Sequence, residues 1–174
     1  MTFMRSLRRP FPCGALVAVL IAAADWLSKY AVLYGMDLPA RGNIPILPFF
    51  DLTMVWNRGI SFGLLQSDGV FGRALLVLFT SLIAAVLVFW LWRSQRLLEA
   101  AALGAIIGGA IGNIHDRVVY GAVADFFDFH LMGWHWYVFN IADAAICIGA
   151  ALLLVSSFWP AEQSIKRTDK HEDR

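Results

Sequence analysis

The chain has 174 residues, 59% of them hydrophobic, and a mean hydropathy of +0.64. Soluble domains run at about 45–50% apolar by a similar count, so the excess points to an integral membrane protein. A net charge of +1 argues against nucleic acid, which would need a basic surface to hold it.

Four stretches are apolar enough to cross a bilayer, which takes about 20 residues. They cover residues 13–34, 70–92, 97–114 and 141–159. The first carries Asp25 and Lys29 and lacks a small-residue cleavage site, so it reads as a span rather than a removable signal. The loop at 35–69 holds Pro39, Pro45 and Pro48 and two β-like runs, 49–56 and 60–63. These predict a small sheet resting on the membrane surface. The third span is rich in Ala and Gly, residues that let a neighbouring backbone come close. Residues 117–139 are dense in Phe, Trp and His and predict an interfacial segment with a short amphipathic helix. Residues 161–174 form a polar tail beyond a single membrane domain of residues 1–160.

Lys and Arg set the orientation. Arg5, Arg8, Arg9, Arg93, Arg96, Lys166, Arg167, Lys170 and Arg174 fall on one side, against Arg41, Arg58, Arg73 and Arg117 on the other. Both termini are therefore expected in the cytoplasm. Trp90, Trp92 and Trp159 fall at the predicted membrane interfaces. Cys13 and Cys147 lie far apart without Cys-x-x-Cys spacing and read as apolar packing residues. No apolar stretch precedes Cys13, so the chain is not expected to be a lipoprotein itself.

Ionisable groups at membrane depth are costly, so they are functional candidates. Asp25 and Lys29 share one helix face and form either a self-neutralising pair or an orienting group for a substrate or neighbour. Asn113, Asp116 and Arg117 project from one side of the third helix if it continues through them. Asn140 and Asp143 are three apart at the start of the fourth, where Asn140 is also placed to cap it. If spans three and four are antiparallel neighbours, both clusters meet at the outer surface. Asp125 lies between them in sequence. Two convergent carboxylates can share one proton, the minimal equipment of an aspartic protease. Asp116, next to Arg117, reads as a salt-bridged structural group and as the rival for the catalytic role.

Other chemistries fit less well. His115, His130 and His135 with Asp116 and Asp128 match no standard zinc spacing, and there is no His-Glu-x-x-His, so no metal is expected. Ser61 beside a glycine is not within G-x-S-x-G. A proton-coupled transporter using Asp25, Lys29, Asp116, Arg117 and Asp143 as a relay stays open, as does an assembly protein without turnover.

Five segments in order resemble the type II, or lipoprotein, signal peptidases of bacterial inner membranes. Asp25-Trp26-Leu27-Ser28-Lys29 is similar to D-x-x-x-K, and 57–63 to N-x-G-x-x-F-G. Residues 108–117 are similar to G-G-A-x-G-N-x-x-D-R, 123–126 to V-x-D-F and 139–143 to F-N-x-A-D. Trp26 stands where Gln is common, and His115 where an apolar residue is common. The resemblance implies an all-α membrane fold of four transmembrane helices with a small periplasmic β-cradle and a short periplasmic helix. It implies a multi-pass protein of the inner membrane with its active site near the periplasmic face. It further implies an aspartic endopeptidase that cuts diacylglyceryl-modified prolipoproteins before the lipidated cysteine, with membrane lipids around it and no cofactor. Asp125 and Asp143 are then the catalytic pair, while Asp25, Lys29, Asn57, Gly59, Asn113, Asp116, Arg117, Asn140 and Ala142 bind substrate or support the site.

Overall fold

The computed structural model describes residues 10–59 and 69–158. The predicted run at 60–63 with Ser61, the terminal basic residues, Trp159 and the tail at 161–174 lie outside the described residues.

Helix α1 (Phe11–Tyr30) runs on into a π-turn (Ala31–Gly35), and a single-turn helix α2 (Leu38–Arg41) follows. Strands β1 (Asn43–Leu47) and β2 (Phe50–Asn57) precede the long helices α3 (Val70–Arg93) and α4 (Leu97–Val119). Strands β3 (Val123–Leu131) and β4 (Trp134–His135) lead to the last helix, α5 (Ile141–Phe158). Four segments are long and apolar enough to span a membrane: Phe11–Gly35, Val70–Arg93, Leu97–Val119 and Ile141–Phe158.

Helix α4 is the hub. In its most apolar stretch 61% is buried, against 11% in that of α3, most of whose large apolar side chains, Phe71, Leu78, Phe79 and Leu82 among them, face outward. The apolar pattern of α3 suits lipid, and that of α4 suits protein, because small residues make its surface. A methyl group at Gly104 would strike the Gly14 carbonyl of α1, and one at Gly109 the Ala142 carbonyl of α5. Backbone contact of this kind lets α1 and α5 press against opposite sides of α4. Leu91, Leu103 and Ile107 fill the core between α1, α3 and α4. At one end, Arg96 Nη1 donates to the Ser156 carbonyl at 2.7 Å, satisfying an orphan acceptor in the last turn of α5.

The opposite end carries an antiparallel sheet in the order β1-β2-β3-β4. Leu33, Leu38, Leu52 and Phe126 form a second core beneath it. Within 117–139, Val123–Leu131 and Trp134–His135 are strands, in place of the amphipathic helix expected there. Apolar residues fall on both faces of Val123–Leu131, so it has no one-sided helical stripe, and β2 offers it a pairing edge. The short helix forms instead at Leu38–Arg41, with Pro39 in its first turn, where a missing N–H costs nothing. The third span also runs five residues beyond the expected residue 114, to Val119. Asn113, Asp116 and Arg117 face protein rather than lipid, so their polarity does not end the helix.

Candidate active site

Local backbone rules bring Asp125 to the top of the bundle. β2 and β3 pair with a bulge between Leu52 and Val55, which sets Val55 opposite Asp125 and Asn57 opposite Val123. Asn57 is therefore a diagonal neighbour of Asp125 on the same face, and its Nδ2 donates to Asp125 Oδ2 at 3.0 Å. The Asn57 Oδ1 accepts the Gly59 N–H at 3.0 Å, an Asx turn that fixes the amide. On the far edge, Phe139 exchanges backbone hydrogen bonds with Phe127, pinning the next residue beside β3.

That next residue, Asn140, is the N-cap of α5. Its Oδ1 accepts the Asp143 N–H at 2.9 Å, leaving Nδ2 to donate to Asp125 Oδ1 at 2.7 Å. Asn113 of α4 donates to Asp143 Oδ1 at 2.9 Å. Three asparagine amides thus hold the two carboxylates, and Asp125 and Asn140 are fully buried. Asp143 Oδ2 is buried with no hydrogen-bond partner among the described residues. Burial, then the charge of Asp143, push the Asp125 carboxyl up to about 7, although Asn57 and Asn140 oppose the shift. A carboxyl poised there exchanges a proton near neutral pH.

A second cluster sits on α1 and α4. Lys29 Nζ lies 2.7 Å from Asp25 Oδ2 and 2.8 Å from Asp116 Oδ2, with all three side chains nearly inaccessible. Asp25 Oδ1 also accepts the Ala142 N–H at 2.9 Å, in the first turn of α5. Asp116 Oδ2 accepts the Ala124 N–H at 3.1 Å, next to Asp125. Arg117 Nη2 donates to the Gly59 carbonyl at 2.7 Å and Nη1 to the Asn113 carbonyl at 3.2 Å. Its charge acts on Asp143, Asp125 and Asp116 from within hydrogen-bonded protein.

The structure gathers all the sequence-predicted residues into one region. Asp125, Asp143, Asn57, Asn113 and Asn140 share one network, while Asp25, Lys29 and Asp116 form the ion cluster. Gly59, Ala142 and Arg117 tie loop and helices to them. Sequence reasoning missed Tyr137, whose hydroxyl receives the second Asn57 Nδ2 contact at 3.3 Å. Its position ahead of F-N-x-A-D was the available signal. Two of the histidines go elsewhere, His135 Nδ1 3.0 Å from Asp128 and His130 Nε2 3.3 Å from Asp51 on the sheet, while His115 Nδ1 lies 3.4 Å from Asp116 Oδ1.

Two solved bacterial membrane enzymes share this architecture. One superposes with a TM-score of 0.73 at 26% identity, covering 94% of this chain and 95% of its own. The other gives 0.72 at 27% identity, covering 86% and 95%. The fold is that of a multi-pass bacterial membrane enzyme. Residues 17–159 match the family model of signal peptidase (SPase) II, and the chain belongs to that family of proteases. The lipoprotein signal peptidase of Methylobacterium sp. (strain 4-46) is 47% identical over 151 residues, 87% of this chain and 92% of that protein. That of Beijerinckia indica is 42% identical over 160 residues, 92% of this chain and 96% of its relative.

Proposed function

We propose that this signal peptidase removes the signal peptide from diacylglyceryl-modified prolipoproteins by aspartic catalysis at Asp125 and Asp143. The observation that carries the reading is the asymmetry of the pair. Both are held by asparagine amides, and Asp143 alone keeps a carboxylate oxygen with no described partner. With its value raised to about 7 by burial and by Asp143, the Asp125 carboxyl can give or take a proton near neutrality. The ionised member takes a proton from water as it attacks the scissile carbonyl. The protonated member donates to the carbonyl oxygen, and collapse delivers a proton to the departing amine of the lipidated cysteine. Arg117 and Asn113, fixed to each other and to Gly59, keep the loop and α4 in register with the substrate backbone.

The lipid anchor of such a substrate stays in the bilayer beside the helices while the peptide crosses under the sheet. The charge distribution supports cytoplasmic termini and a periplasmic site. Cysteine labelling from outside spheroplasts tests this, with labelling at Met132 variants expected and labelling at Arg93 variants only after lysis. Residues 1–160 make up the peptidase domain in this reading.

The test is a gel-shift assay on the purified protein with a diacylglyceryl-modified prolipoprotein and an unlipidated control. Wild type is expected to cut only the lipidated form, and Asp125→Asn and Asp143→Asn to cut neither. Turnover by purified Asp143→Asn would sink the assignment.

A further inference from the structure

A cavity of about 430 Å³ opens at the sheet end of the bundle, where α3 begins and α4 turns into β3. Its walls include Trp56, Arg58, Val70, Arg73, Tyr120 and Gly121, and none of the three asparagines or the two proposed catalytic aspartates. The charged residues of the lining are Arg58 and Arg73, both positive. Among the described residues neither guanidinium has a hydrogen-bond or ion-pair partner. Arg58 is exposed and Arg73 half-buried, and two guanidiniums on the wall of one cavity complement an anion.

The fold also reserves space for one of them. Gly121 has φ +82°, and a Cβ there would come within 2.8 Å of Arg73 Nη1. Glycine therefore serves twice, allowing the turn and letting the guanidinium lie across it.

An independent feature indicates which anion. Trp26, Tyr30 and Tyr34 stand at four-residue intervals on one exposed face of the first span, with ring centroids 5.7 and 5.2 Å apart. Tyr34 Oη lies 3.3 Å from Tyr120 Oη, and the Tyr120 ring lies 5.8 Å from Trp56. An aromatic row thus rises from inside the membrane span to the cavity wall. Across the cavity, Val70 and Phe71 are 74% and 84% exposed at the start of another span. A soluble anion needs none of this apolar surface.

We propose that the cavity binds the phosphate of an anionic phospholipid, with an acyl chain lying along Trp26, Tyr30 and Tyr34. The guanidinium forks match phosphate oxygens, and Trp56 and Tyr120 sit at headgroup level. A zwitterionic headgroup brings its own cation towards two arginines and binds more weakly. Such a lipid would occupy a place beside the bundle that is separate from the peptide-cutting residues.

The test is native mass spectrometry on the full chain in delipidated detergent, titrated with phosphatidylglycerol, phosphatidylcholine or glycerol phosphate. Phosphatidylglycerol is expected to stay bound at one per chain and to outcompete phosphatidylcholine. Losing arginine charge should weaken it about fivefold for Arg58→Gln and about twentyfold for Arg58→Gln with Arg73→Gln. The Arg58→Lys/Arg73→Lys pair should retain an intermediate affinity. Arg58 is exposed, so its single variant reports even if the double variant misfolds. Equal retention of both lipids, or unchanged phosphatidylglycerol binding in Arg58→Gln, would overturn the proposal. Glycerol phosphate binding as tightly as the lipid would also overturn it, in favour of a soluble anion.

Discussion

The two acid clusters at the sheet end of the bundle differ in what answers their charge. Asp25 and Asp116 share the Lys29 ammonium within 2.8 Å, and each also accepts a backbone N–H. Asp125 and Asp143 touch no cation at that range among the described residues and are held by neutral amides alone. Burial, then the charge of Asp143, raises the Asp125 carboxyl to about 7, where a proton moves readily near neutral pH. On the proposed assignment the contrast separates scaffold from chemistry within a few residues of sequence, since the Ala124 N–H reaches Asp116 and Asp125 belongs to the second cluster.

The sharpest way to break this contrast is to exchange acids for amides in both clusters. Asp125→Asn should lower kcat/KM by about 10²–10⁴-fold. Asp116→Asn should act chiefly on stability, seen as a lower Tm with turnover retained in the folded fraction. Equal loss of kcat/KM from the two variants at matched folded fraction would erase the distinction.

Lys29→Met removes the shared cation and leaves two buried carboxylates unanswered, which costs about 3–5 kcal/mol in stability. Chemical denaturation in detergent measures it. A stable Lys29→Met protein that had lost only turnover would move Lys29 into the chemistry.

The raised pKa of Asp125 gives a stability prediction of opposite sign to its catalytic one. Between the ordinary carboxylate value of 3.8 and about 7, the folded state holds a proton that the unfolded state has lost. Stability therefore falls as pH rises through this window, and the penalty is complete above it. Asp125→Asn should melt higher than wild type at pH 8, with the gain shrinking towards pH 4. A gain that did not vary with pH would contradict the burial argument.

Asn140→Ala is expected to have a smaller effect. Losing the cap costs about 1 kcal/mol. Because the Asn140 amide holds the Asp125 value down, its removal should also shift the pH profile of kcat/KM upward. At the lower end, deleting residues 161–174 should leave cleavage unchanged, and a lost activity would extend the working domain into the tail.

Much of this arrangement was legible in the chain. The four spans follow from hydropathy, and their edges differ mainly where Asn113, Asp116 and Arg117 extend α4 by turning inward. The site residues were legible through motif spacing. What stayed hidden depended on contacts distant in sequence. Val123–Leu131 gives no alternating pattern because apolar residues fall on both of its faces, so its strand shows only once β2 is beside it. Motif resemblance placed Asp125 ahead of its rival Asp116, and the reach of Lys29 to Asp116 from another helix, which no local pattern encodes, supports that order. Tyr137 went unnoticed for the same reason, as its partner Asn57 is 80 residues away.

The bond from the Ala142 N–H to Asp25 Oδ1 joins residues 117 positions apart, the first span to the last. A chain made from its N-terminus releases Asp25 into the bilayer long before Ala142 exists. Lys29, one turn later on the same helix, accompanies the acid through that interval and makes the early helix tolerable to lipid. The late arrival of α5 then does two things in one step. It supplies the remaining donor to Asp25, and it carries Asp143 to the site. On the proposed assignment of Asp125 and Asp143, cleavage therefore waits for the completed bundle.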